Sequence, residues 1–201
     1  MKRGILLFFM TLLLVVLVAC GNNEENTNDD SDTKSKGESA ETEEGQSSEP
    51  GKDLVQVELK DTEGKKIGTA ILDEGDEGVN IQLDAAKIPE GKHGFHIHEK
   101  AACETPDFES AGGHFNPDDT NHGIDDPDGP HAGDLPNIEV NEDGSVSESF
   151  VAKGVTLEKN AENSLLDGEG TSLVIHADED DNKSQPSGDA GDRIACGVIE
   201  E

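Results

Sequence analysis

The chain has 201 residues, with 46 Asp and Glu against 15 Lys and Arg, a formal charge of −31, and neither Trp nor Tyr. So acidic a composition argues against nucleic acid and anionic membrane surfaces as partners, since both select clustered positive charge. It speaks to solubility and says nothing of the fold.

Composition divides the chain into three parts. Residues 1–20, MKRGILLFFMTLLLVVLVAC, begin with Lys2 and Arg3, continue as an apolar run over 5–18 and end in Ala19 and Cys20. That is the layout of a signal sequence. Its close, LVAC, resembles the lipobox of bacterial lipoproteins, in which the cysteine takes a diacylglycerol thioether and becomes the mature N-terminus. The resemblance implies a lipid anchor at Cys20 and an extracytoplasmic location on the bacterial cell membrane. An uncleaved membrane anchor is the alternative, but the apolar run falls short of the roughly 20 residues a spanning helix needs. Residues 21–52 are Asn, Glu, Asp, Ser, Thr, Gly and Lys with almost no apolar side chain. They bury too little to offset the entropy of ordering and read as a disordered acidic tether, about 30 Å from end to end.

Residues 53–201 hold 36 acidic and 10 basic side chains and are long enough for one domain burying about 68–70% of its unfolded surface. Alternation marks LVQVELK (54–60), IGTAILD (67–73), VNIQLD (79–84), GFHIHE (94–99), NIEVN (137–141), SVSESFV (145–151), TSLVIH (171–176) and ACGVI (195–199). Eight short strands, with turn sequences such as DTEG and NEDG and no convincing amphipathic helix, predict an antiparallel all-β sandwich or barrel. Two connections, over about 100–136 and 177–194, are long and irregular. Loops of that length in a compact domain are usually functional or disordered. Cys103 and Cys196 are left as one possible pair outside the membrane. They either stay free or close a long loop, which would stabilise by up to about 4 to 5 kcal/mol.

Histidines carry the chemistry. His96 and His98 lie two apart on a strand and so point to one face, while Phe95 and Ile97 point to the other. Two imidazoles side by side can grip a metal, and alone they are equally an ordinary satisfied pair. The run GGHFNPDDTNHGIDDPDGPHAGD adds His114, His122, His131 and Asp134; three imidazoles and a carboxylate suit tetrahedral zinc. His176 closes TSLVIH. These seven groups exceed one tetrahedral ion, and two ions use them all if one imidazole is shared, an all-imidazole set suiting Cu(II) and a mixed set Zn(II). His93 fits neither set and is expected as a solvated turn residue. Most of the acidic run HADEDDN is likewise expected to be a solvated loop face.

Taken together, GFHIHE, GGHFNP, HAGDL and GDAGDRIACGVI resemble four motifs of the copper-zinc superoxide dismutase family, over residues 54–199. The resemblance implies an immunoglobulin-like Greek-key barrel of eight antiparallel strands, with the metals outside it under two long loops. It implies copper on His96, His98, His114 and His176, zinc on His114, His122, His131 and Asp134, and therefore His114 as a bridging imidazolate. Arg193 matches the arginine that attracts and positions the anion, and Cys103 with Cys196 matches a disulfide. Asp180 resembles the carboxylate linking the two sites, with Asp178 and Asp181 as competing registers. The implied reaction turns two superoxide anions and two protons into dioxygen and hydrogen peroxide. Copper alternates between Cu(II) and Cu(I), His114 releases it on reduction and carries a proton, and zinc holds the loop.

A non-catalytic zinc- or copper-sequestering module on the same scaffold is the alternative, and the presence of all four copper positions with Arg193 favours the enzyme. A purely structural envelope role leaves seven spaced ligands without a purpose. The family holds both monomers and homodimers, and no interface is legible here. Pro186 stands where some relatives carry lysine, and Asp189 and Asp192 flank Arg193. Electrostatic steering of superoxide is therefore expected to be weak and to rest on Arg193, the copper and Lys183.

Overall fold

Alternation in the sequence becomes alternation in burial. In β1 (Val55–Asp61), Val55, Val57 and Leu59 are buried while Gln56, Glu58 and Lys60 face solvent, the pattern of a strand with one wet face. The same holds in β3 (Gly78–Ala85), where Val79, Ile81 and Leu83 point inward. The computed structural model describes residues 54–201; the expected signal segment, the Cys20 lipobox and the acidic tether lie outside the described residues.

The remaining strands are β2 (Lys66–Glu74), β4 (Gly91–His93), β5 (Phe95–His98), β6 (Ile138–Val140), β7 (Val146–Lys153), β8 (Thr171–His176) and β9 (Arg193–Ile199). Every pairing is antiparallel. Seven strands form one curled sheet in the order β5-β8-β9-β1-β2-β3-β7, and β4 pairs with β6. β4 and β5 are one run of chain broken only at Gly94, and β6 joins β7 through a tight turn over 141–145. The short pair thus connects the two outer strands of the long sheet. Neighbours such as β3 with β7 and β1 with β9 are distant in sequence, the crossing that defines Greek-key topology.

All eight expected strands are present. β4 is a ninth, because the extended chain before GFHIHE begins at Gly91. Gly94 interrupts it by turning its N–H to Asp178 O and its carbonyl to the His176 N–H, both at 2.8 Å. A third irregular connection, over 154–170, was not anticipated. It sinks Val155 and Leu165 into the core, and the Glu74 carboxylate pins it by accepting from Thr156 Oγ1 (3.0 Å) and the Leu157 N–H (2.6 Å). The first long loop contains one short 3-10 turn, Glu109–Ala111. The Cys103–Cys196 disulfide, with Cα atoms 5.6 Å apart, ties that loop to β9.

β5 decides where the site sits. All four of its residues are buried: Phe95 and Ile97 belong to the barrel core, while His96 and His98 are covered on the opposite face by the long loops.

Candidate metal centre

Strand register assembles the first half of the site. β5 pairs with β8 so that Phe95 faces Ile175 and His98 faces Ser172, which brings His176, the last residue of β8, beside the β5 imidazoles. In turn, β8 pairs His176 with Arg193 at the start of β9. The first long loop then runs back over β5. Phe115 N–H donates to Ile97 O, and Ile97 N–H donates to Gly133 O, both at 2.8 Å. Bridge pairings set His114 beside His98 and Asp134 beside His96.

Two four-residue groups result, each with its ligand atoms within 4.8 Å of one another: His96, His98, His114 and His176 in one, His114, His122, His131 and Asp134 in the other. His114 belongs to both. In the second group Asp134 Oδ1 lies 2.8, 3.1 and 3.3 Å from Nδ1 of His114, His122 and His131. The edge of a tetrahedron of N and O ligands around zinc is about 3.3 Å. In the first group, Nε2 of His98 and His176 are 3.4 Å apart.

The outer hydrogen bonds fix which nitrogen faces inward. His96 Nε2 donates to Asp180 Oδ2 (2.7 Å) and His122 Nε2 to Asp180 Oδ1 (3.1 Å), so that Nδ1 of each ring faces into its own group. His98 Nδ1 donates to Gly112 O (3.0 Å) and His176 Nδ1 faces Gly191 O (3.4 Å), so their Nε2 atoms point into the cluster. Nδ1 of His96, His122 and His131 and Nε2 of His114 are buried without a hydrogen-bond partner in the protein. Buried imidazole lone pairs left unpaired are costly, and a cation in each group pairs them all. Imidazoles alone suit copper, and imidazoles with one carboxylate suit zinc. Of the three candidate carboxylates after His176, Asp180 is the one that bridges the two groups. A Cβ on Gly188, at φ +74°, would meet Asp180 Oδ1 at 1.9 Å, so only glycine lets that turn pack there.

The two halves differ electrostatically. Burial holds His96 down at about 4 and His176 at about 3, and pushes His98 well below the usual imidazole range. Burial would lower His122 too, but the carboxylates of Asp134 and Asp180 beside it reverse this and raise it to about 9. Burial opposes ionisation of Asp134 and Asp180, yet hydrogen bonds from their histidine partners keep both well below the ordinary carboxylate range.

Arg193 is half-buried, with Nη1 donating to Phe108 O (2.6 Å) and Nη2 to Gly112 O (2.7 Å). Gly112 O therefore serves both the arginine and His98. A cleft of about 510 Å³ opens over His98, His114, His176 and Arg193, with Glu99 and Asp119 on its lining. His93 corrects the sequence reading. It is 2% exposed, and its ring spans His176 O (2.9 Å from Nδ1) and Pro89 O (2.8 Å from Nε2). The sequence reading also gave no site role to Gln185, in irregular chain, or to Asn137, which it counted only as the first residue of the strand NIEVN. Each grips the main chain of a residue in the other loop.

The family model for copper/zinc superoxide dismutase (SODC) matches residues 66–199. Copper-zinc superoxide dismutase 2 of Aquifex aeolicus (strain VF5) is 51% identical over 144 residues, covering 71% of this chain and 84% of its own. The copper-zinc superoxide dismutase of Caulobacter vibrioides (strain ATCC 19089 / CIP 103742 / CB 15) is 42% identical over 143 residues, covering 70% and 82%. Among solved structures, a double mutant of a SOD-like protein from Bacillus subtilis superposes with a TM-score of 0.71 at 45% identity, over 73% of this chain and 97% of that one. Its barrel, its two histidine groups and these matches agree: the chain belongs to the copper/zinc superoxide dismutase family, oxidoreductases that act on superoxide with copper and zinc as cofactors.

Proposed function

We propose that copper binds His96, His98, His114 and His176, that zinc binds His114, His122, His131 and Asp134, and that His114 is the imidazolate shared between them. The observation that carries this reading is His114 itself, which sets Nδ1 against Asp134 and buries an unpaired Nε2 within the other group. When bound, copper supplies a one-electron change between Cu(II) and Cu(I), and zinc supplies fixed charge without redox change. Arg193, aimed into the cleft by Phe108 O and Gly112 O, binds and orients the superoxide anion. Nε2 of His114 takes up a proton when superoxide leaves as dioxygen and returns it, with a second proton from water, when the second superoxide becomes hydrogen peroxide. Asp180 holds His96 and His122 in one orientation throughout.

Metal analysis of the purified protein together with a superoxide dismutation assay tests the assignment. One copper and one zinc with activity are expected; zinc alone, with no activity after copper is supplied, overturns it.

We further infer that the enzyme works outside the cytoplasmic membrane, lipid-anchored through Cys20 and spaced from the surface by residues 21–52. Support comes from the basic start, the apolar run and the LVAC ending. Partition of the full chain into the detergent phase, lost in Cys20→Ala, is the expected result; unchanged partition counts against the anchor.

A further inference from the structure

We propose that Gln185 is a positioning residue for the zinc group, fixing the main chain of His122 from the opposite loop; the proposal rests on the zinc assignment above. His122 is the ligand that the strands support least. His114 and Asp134 bridge to β5, and the His131 N–H donates to Asp134 Oδ2 (3.0 Å). His122 sits in irregular chain, and its main chain is held by a side chain instead. The His122 N–H donates to Gln185 Oε1 (2.9 Å), and Gln185 Nε2 donates to His122 O (2.8 Å). Two opposed hydrogen bonds from one planar amide fix both the place of the residue and its rotation, as a neighbouring strand would.

The brace has a counterpart pointing the other way. Asn137, on the chain leaving the first loop, donates through Nδ2 to Asp180 O (2.8 Å) and accepts the Asp180 N–H at Oδ1 (2.9 Å). Each loop thus lends one amide to the other, and between the two braces His122 Nε2 reaches Asp180 Oδ1. Contact here is close: a Cβ on Gly123, at φ +106°, would lie 2.1 Å from Asn182 O. Gln185 is an exposed residue. Replacing a surface glutamine that served only the loop would leave stability nearly unchanged and metal affinity alone. Residues that orient a ligand are different, and their loss weakens metal binding about 10- to 100-fold.

Gln185→Met keeps the length and removes both hydrogen bonds. The full chain is stripped of metal and titrated with Zn(II) against a chromophoric chelator, then with Co(II) to read the visible bands of the zinc group; urea midpoints are taken stripped and zinc-loaded. Expected are a 10- to 100-fold weaker zinc affinity, altered Co(II) bands, and a larger drop in midpoint for the loaded than for the stripped protein. Unchanged zinc affinity and Co(II) bands, or equal drops in both midpoints, overturn the proposal. Asp134→Asn separates the two failures: if it too leaves zinc affinity and Co(II) bands unchanged, the zinc assignment itself is wrong.

Discussion

The two groups of ligands are built by different means. Three of the four proposed copper ligands stand on β5 and β8, where antiparallel register alone brings them together. The proposed zinc ligands stand on a loop, and hydrogen bonds to the side chains of Asp134, Asp180 and Gln185 hold them. A strand delivers position and leaves a buried, weakly basic imidazole. The loop holds its ligands with hydrogen bonds and charge; His122, between two carboxylates, is left strongly basic, while burial lowers His131 in the same group.

The largest expected effect comes from breaking the strand half. His176→Ala should reduce dismutation to background while zinc stays at full occupancy, read by metal analysis and assay on the same sample; persistent activity removes His176 from the copper set. His96→Ala and His98→Ala should likewise cost copper before they cost the fold. On the loop half, Asp134→Asn should weaken zinc by about 100-fold or more, since it removes the one carboxylate in the set. Copper should still bind, and simultaneous loss of both metals would erase the distinction between the halves.

Phe95→Ala tests the other face of β5. Phe95 is fully buried and packs 5.4 Å from the Phe150 ring, centroid to centroid. Its loss should cost about 3 to 5 kcal/mol in urea unfolding with both metals still bound in the folded fraction.

Acidity offers a subtler contrast in the metal-stripped chain. Unfolded imidazole titrates near 6.5, above the values of about 4 and about 3 at His96 and His176. Their contribution to stability is therefore whole above about 6.5 and is lost as pH falls from there toward 4. His122, raised to about 9, has the opposite sign: its contribution is whole below about 6.5 and is lost as pH rises through 9. Unfolding free energies from urea titration should peak near pH 6.5 to 7 and fall by about 2 to 4 kcal/mol by pH 4.5; a flat profile contradicts the contrast.

The smallest effect is expected from salt. Arg193 is joined on the cleft lining by Glu99 and Asp119, and the chain carries a formal charge of −31. Shortening the Debye length from about 30 to about 8 Å should not lower the dismutation rate by more than about threefold. A steep fall would reveal strong attraction and overturn the expectation of weak steering.

Much of this was legible in the chain because it is local. Alternation in LVQVELK or VNIQLD needs only neighbours, and the i, i+2 rule puts His96 and His98 on one face. What escaped depends on distant contacts. His93 looks like a turn residue until His176 O, 83 positions away, meets its Nδ1. Gln185 meets His122 across 63 residues, and no periodicity announces it. The connection over 154–170 escaped for a related reason: Val155 and Leu165 enter the core from irregular chain, where no alternation marks them.

Because the histidines of β5 and the residues that fill the barrel occupy opposite faces of four consecutive positions, ligand chemistry and core packing are written on separate sides of one ribbon. Either side can therefore change without renegotiating the other.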